Sequence, residues 1–226
     1  MVQPVADSMT VLLVMTDGRD TIHDTIASFH ERVTGPISHR VIHDDSGDPA
    51  HRKLLAETFP EFQIIGGRRL GFAGAISRAW SQIRNLPAQW VFHLEDDFTF
   101  KRHVDLLDMA HVLSTHPHIV QMALRRQPWN PQEVEAGGIV EQSPESYSDC
   151  TDGEFHWLEQ RQFFTTNPSL YRVSLCGQRW PKGSNSEGRF SLDVLTDPDA
   201  AFAYWGARNS GEWVTHIGAQ RAGRGY

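Results

Sequence analysis

Residues 90 to 100 read WVFHLEDDFTF, and three consecutive carboxylates, Glu95, Asp96 and Asp97, sit between apolar residues. At close range, like charges repel by about 1 kcal/mol in water and roughly 4 kcal/mol at an effective dielectric near 20. A divalent cation offsets that repulsion. Mg²⁺ or Mn²⁺ takes oxygen ligands, usually one or two carboxylates together with substrate phosphates. The plainer alternative is a solvated acidic turn. Two other polar clusters follow apolar runs in the same way: Thr16-Asp17-Gly18-Arg19 and His43-Asp44-Asp45-Ser46.

The flanking elements decide whether these clusters meet. MTVLLVMT is a short continuous apolar run, as expected of a buried strand. In TIHDTIASFHERV, residues Ile22, Ile26, Phe29 and Val33 recur at three- or four-residue steps, which predicts an amphipathic helix. HRVIHDD repeats the strand, HRKLLAETFP is a helix stopped at Pro60, FQIIGG is a strand, GFAGAISRAWSQIRN a helix and WVFHLEDD a strand. Strand and helix alternate over the first hundred residues, so βαβ units and a parallel sheet covered by helices are expected. Ligands of such sheets bind beyond the carboxyl ends of the strands, where all three clusters fall.

The second half is less regular. VDLLDMAHVLSTHP predicts a helix, IVQMALRR a strand, SNSEGRFSLDVL a helix and WVTHIG a strand. Residues 127–160, rich in Pro, Gly, Glu and Ser, read as one long loop region of the kind that forms lids. No repeat or linker interrupts the chain, so a single domain over 1–226 is expected.

Hydrophobic residues make up 39% of the 226 and charged residues 22%, enough for a core. The net charge of -7 argues against broad binding to nucleic acid or anionic membrane. Cys150 and Cys176 lack metal-type spacing and read as free thiols of a reducing compartment. The N-terminal stretch has no charged n-region, and its apolar part is too short to span a bilayer. A cytoplasmic protein with no membrane segment is the default expectation.

Taken in order, the strand, HDDSGD, the Gly-containing helix start and the strand into EDD resemble the inverting glycosyltransferases of the A-type fold, family 2 among them. The resemblance runs from Thr10 to about Gly218. It implies an α/β, Rossmann-like domain with a mostly parallel central sheet flanked by helices. Its nucleotide-sugar half would span about 9–100, and its acceptor and catalytic half about 101–226.

The resemblance also implies roles. Thr16 and Arg19 would touch the nucleotide, and Asp45 would accept a hydrogen bond from a uracil N–H. Arg68 or Arg69 would lie beside the base and phosphates. Small residues of GFAGAISRAW, Gly74 among them, would let the backbone approach the donor sugar. Asp97 would coordinate Mn²⁺ or Mg²⁺ bridging the diphosphate, with Asp96 or Glu95 assisting. His216 in THIG would be a further metal contact. Glu187 in SEGRF would be the base that deprotonates an acceptor hydroxyl attacking from the face opposite the leaving diphosphate. The acidic motif is EDD, so Glu95-x-Asp97 and Asp96-Asp97 are both possible readings, and the base is Glu where many relatives have Asp.

Each role has a structural rival. Asp45 could cap the helix that follows it. Glu187 could be a first-turn carboxylate favoured by the helix dipole. Trp129, Trp157, Trp180 and Trp205 could stack on substrate or pack in the core. Arg125, Arg126, Arg221 and Arg224 read as solvated charges, and Asn167-Pro168 as a turn on the acceptor side.

The partners implied are a nucleoside diphosphate sugar, with UDP favoured, and an acceptor hydroxyl of unspecified class. One acceptor is a hydroxymethylated base in DNA, as for small sugar transferases encoded by bacteriophages, in which case the protein would work in the host cytoplasm. The Arg-rich tail and the tryptophans would suit a flipped-out base, while the net charge counts against it. A nucleotidyltransferase would need a Gly-rich basic phosphate loop after the first strand, where only TDGRD stands. A binding module without catalysis is the third class.

Overall fold

β1 (Thr10–Thr16) is buried at every position, which explains why its sequence is apolar without alternation. A computed structural model describes residues 9–218. Leu12 and Val14 face one core, while Val11, Leu13 and Met15 face another. The chain continues through α1 (Ile22–Arg32), β2 (Val33–Thr34), β3 (Ile37–Asp44), α2 (Pro49–Thr58), β4 (Gln63–Gly66), α3 (Phe72–Ile83) and β5 (Trp90–Glu95). Ile22, Ile26 and Phe29 of α1 are buried, as their spacing predicts. α2 opens with Asp48 as cap and Pro49 in the first turn, two features that favour a helix start.

Beyond β5 come β6 (Phe98–Phe100), β7 (Val104–Asp105), α4 (Leu106–Thr115) and β8 (Ile119–Ala123). Then follow α5 (Pro131–Ala136), α6 (Ile139–Gln142), β9 (Ser148–Thr151), β10 (His156–Gln160), β11 (Ser169–Arg172), α7 (Ser186–Val194), β12 (Ala201–Trp205) and β13 (Val214–His216).

Nine strands form one sheet in the order β4-β3-β1-β5-β11-β8-β12-β10-β9. β11 and β10 run against the other seven, so the sheet is mostly parallel in direction. Two cores cover its faces. One gathers Ile26, Phe29, Leu55, Met109 and Leu113 from α1, α2 and α4. The other gathers Ile76, Trp80, Phe164, Trp180 and Phe190 around α3 and α7.

Residues 127–160 are not one loop. They contain α5, α6, the edge strand β9 and its neighbour β10. β10 was obscured because its exposed and buried residues do not alternate cleanly, and it is held by pairing with β12 rather than by local pattern. β12, AFAYW, lies beside β8 and is buried throughout. Both cysteines are free thiols, Cys176 buried and Cys150 partly so. No helix among the described residues is long and apolar enough to cross a membrane.

Candidate active site

The three polar clusters converge at the carboxyl ends of β1, β3 and β5. The registers place Thr16 beside Asp44 and Met15 beside Glu95. Backbone bonds lock the turns that follow, from the Asp45 N–H to the Thr16 carbonyl (2.8 Å) and from the Asp96 N–H to the Met15 carbonyl (2.9 Å).

Thr16 is buried and donates its hydroxyl to Asp96 Oδ2 at 2.5 Å. The Arg19 guanidinium lies across the acidic cluster. Its Nη1 donates to Asp97 Oδ2 and sits 3.4 Å from Asp96 Oδ1, and its Nε is 3.0 Å from Asp17 Oδ1. Asp17 in turn pairs with Arg69 at 3.2 Å. Of the two neighbouring arginines, Arg69 is thus tied to the site, while the Arg68 carbonyl accepts a bond from Arg78. Charges alternate along Arg69, Asp17, Arg19 and Asp97.

Asp45 holds the entry to α3. Its two carboxylate oxygens accept the amides of Leu70 and Gly71, each at 2.8 Å, and Gly71 is the residue that caps α3. It does not cap α2, a job done by Asp48. Each Asp45 oxygen still has lone-pair capacity for a ligand donor. Gly74 lies in the first turn of α3, and a Cβ there would come within 2.6 Å of Leu70 Cβ. Its small size therefore seats the 68–71 loop against the helix.

β13 brings the late histidine home. It pairs antiparallel with β6, with His216 opposite Phe98, and the Ile217 amide donates to the Asp97 carbonyl at 2.7 Å. His216 Nε2 comes within 3.0 Å of Asp97 Oδ2. The imidazole stacks on Phe98 with centroids 4.6 Å apart, and Trp129 covers it at 4.0 Å. Gly218 packs against the same carboxylate, where a Cβ would lie 2.9 Å from Asp97 Cγ.

Glu187 stands in the first turn of α7. Its Oε1 accepts the Thr166 amide at 2.6 Å. The 164–166 segment is tied to α7 and to β8. Ser191 Oγ accepts the Phe164 amide at 2.7 Å, and Gln121 bonds both the carbonyl and the amide of Thr165. Trp180 Nε1 donates to Ser186 Oγ at 3.0 Å and fixes the helix start.

The electrostatics follow from the burial of Glu95, Asp96 and Glu187 near one another. Burial, then the charges of Asp97 and Glu187, push Glu95 well above the usual carboxylate range, although part of its surface stays open. Burial raises Asp96 to about 7 despite the Thr16 hydrogen bond and Arg19. Burial also raises Glu187, and the Thr166 amide and hydroxyl pull it partly back. The Thr166 hydroxyl interacts with Glu95 as well, so this residue bridges two carboxylates. Sequence reasoning passed over Thr166, whose only signal is its place in the TTNP turn. It named Asp17 and Asp44 only as members of polar clusters and gave neither a role; Asp44 is fully buried and held by Ser46, His51 and Arg52.

Would these residues suit a divalent metal? Asp97 Oδ1 is buried without a hydrogen-bond partner, and His216 Nε2 stands beside the other oxygen. One orphaned hard oxygen and one imidazole nitrogen fit two positions of a Mn²⁺ or Mg²⁺ shell, which commonly takes its other ligands from phosphates and water. Among the described residues, no group of three or more His, Cys, Asp or Glu side chains is arranged to hold a metal alone.

Several expectations change. Arg125 is not a solvated charge: it is buried and bonds the Ala207 and Arg208 carbonyls and Ser210. Arg126 forms a shielded pair with Glu133 at 2.6 Å. Both satisfy polar groups around the irregular 206–211 and 127–133 segments, which no local pattern reveals. Trp157, Trp180 and Trp205 are core residues, and of the four tryptophans weighed for stacking only Trp129 is exposed, at 41%. Asn167-Pro168 is a turn into β11, and the Pro168 carbonyl accepts the Leu124 amide. Arg221 and Arg224 lie outside the described residues.

No family profile and no curated protein matches the sequence. Solved structures do match. The Staphylococcus aureus TarS 1-349 chain in complex with UDP-GlcNAc aligns with TM-score 0.62 at 14% identity, covering 96% of this chain and 60% of that one. Its complex with UDP aligns with TM-score 0.57 at 14% identity over 92% and 60%. A longer TarS structure aligns with TM-score 0.59 at 13% identity, over 93% of this chain and 36% of that one. The chain thus spans about 60% or less of the solved chains it resembles. The described chain has the glycosyltransferase A-type fold that its sequence resembles.

Proposed function

We propose that the protein transfers a sugar from a nucleoside diphosphate, with UDP favoured, to an acceptor hydroxyl with inversion. The observation that carries this is the meeting of Thr16, Asp45, Asp97 and His216 at the carboxyl ends of the strands, with the charge of Glu187 felt by Glu95 beside them. TarS structures of the same fold hold UDP and UDP-GlcNAc, which supports the choice of donor.

Thr16 and Asp45 line the nucleotide end, where the free lone pairs of Asp45 suit a uracil N–H. Asp97 and His216 would hold Mn²⁺ or Mg²⁺, which would neutralise charge on the departing diphosphate. Arg19 and Arg69 add fixed positive charge near the same oxygens. Glu187 takes the acceptor proton. Its raised proton affinity makes it a stronger base than a surface carboxylate, and the Thr166 amide fixes which oxygen faces the acceptor. Proteins, small molecules and hydroxymethylated DNA bases are the acceptor classes to screen.

The test is calorimetric titration of UDP with and without Mn²⁺, on wild type, Asp97→Asn and Glu187→Gln. Wild type should bind UDP more tightly with the metal, and Asp97→Asn should lose that gain. Glu187→Gln should keep UDP binding and, with UDP-sugar and an accepted hydroxyl, lose transfer by about 10²-fold or more. No metal-dependent binding of UDP, GDP, CDP or TDP would overturn the reading. Transfer at an undiminished rate in Glu187→Gln would remove that residue as base.

A further inference from the structure

The acidic cluster already contains a cation. Arg19 reaches three carboxylates, those of Asp17, Asp96 and Asp97, and its contact on Asp97 uses the oxygen that faces His216 Nε2. That oxygen is enclosed by Arg19, His216 and the Gly218 backbone. The other, Asp97 Oδ1, is buried and unpartnered, although Asp97 is only 2% exposed. A carboxylate with one oxygen saturated and one orphaned is half-engaged.

A guanidinium on one oxygen of Asp97 weakens the hold of the other oxygen on a divalent metal, because the two cations repel each other across the carboxylate. A guanidinium remains charged at all working pH values, so it does not yield by losing its proton. It yields to a better anion. Its planar fork matches a phosphate, and the turn that carries it lies at the ligand edge of β1.

We infer that Arg19 is a positioning residue whose charge keeps metal affinity at Asp97 low until the donor diphosphate draws its guanidinium away from that carboxylate. Metal and nucleotide then enter as a unit, and free metal is a poor ligand of the free protein. This deepens the donor-site reading given above and rests on it. The consequence is counterintuitive: neutralising Arg19 improves the binding of metal alone. Removing one partner of a shielded charge cluster leaves the carboxylates uncompensated, and they then recruit another cation.

The experiment measures Mn²⁺ binding by electron paramagnetic resonance, without nucleotide, on wild type, Arg19→Met and Arg19→Lys. UDP binding is measured in parallel, with and without Mn²⁺. Arg19→Met should bind Mn²⁺ alone at least about tenfold more tightly than wild type and UDP alone at least about tenfold more weakly. Arg19→Lys keeps the charge but not the fork and should fall between them. Should Arg19→Met fail to fold, Arg19→Lys carries the same comparison. A purely structural Arg19 would produce no gain in Mn²⁺ affinity, so an unchanged or weakened affinity in the variants overturns the inference. If wild type still shows metal-dependent UDP binding in that case, the donor-site reading stands. If wild type binds neither UDP nor UDP with Mn²⁺, the donor site itself is wrong and the inference falls with it.

Discussion

Asp97 is the residue on which the site turns. Its carbonyl is pinned by the Ile217 amide, one carboxylate oxygen by Arg19 and His216, and its other oxygen is left without a partner. Gly218 makes this packing possible, because any Cβ there would press on the carboxylate. Gly218→Ala should therefore weaken Mn²⁺-dependent UDP binding by about tenfold or more. The change lies at the site rim, so the denaturation midpoint should move little. Calorimetry and a urea melt of the same variant separate the two effects, and wild-type UDP affinity in Gly218→Ala would show that the contact does not matter for the site.

At the scale of elements, α7 is the part that must be held still, since it carries Glu187. Phe190 fixes it. Its ring stacks on Trp180 at 4.7 Å and meets Trp80 at 5.3 Å and Phe164 at 5.0 Å. Truncating a buried aromatic costs its transfer free energy plus the cavity left behind. Phe190→Ala should thus destabilise the fold by about 3–5 kcal/mol in denaturant unfolding. Transfer should fall in the folded fraction too, because the Glu187–Thr166 bond depends on how α7 sits. A loss below about 1 kcal/mol would mean that the aromatic cluster relaxes to fill the gap.

For the whole molecule, the site is an electrostatic burden on the fold. The chain carries a net charge of -7, and Glu95, Asp96 and Glu187 all hold their protons more tightly than free carboxylates do. The sign of the effect is set by Asp96. Folded, it releases its proton near 7, whereas unfolded it does so near the ordinary 3.8. Its favourable contribution is present below that unfolded value and is lost as pH rises toward 7. Stability should decline over that window by up to about 4 kcal/mol from this residue. Thermal melts from pH 4 to 8 without metal should show a shallower decline in Asp96→Asn than in wild type. Parallel curves for the two proteins would refute the assignment.

Much of this was legible in the sequence because local pattern and tertiary role agree in the first hundred residues. Short continuous apolar runs such as TVLLVMT suit strands buried on both faces, and the Ile22, Ile26, Phe29 spacing suits a helix that buries one stripe. The polar clusters at the ends of those runs then had to share an edge. Other features depended on contacts between distant segments. β10 and β12 are strands because they pair with each other, β12 also with β8 and β10 with β9. Arg125 is buried because the 206–211 segment offers it carbonyls. Thr166 matters because α7 and the turn before β11 meet there. Above all, the sequence left a divalent metal or a solvated acidic turn to answer the charge of Glu95, Asp96 and Asp97. Only the tertiary structure put Arg19 against Asp96 and Asp97, because a side chain's charge partner is set by where the backbone turns bring it and not by its own neighbours in the chain.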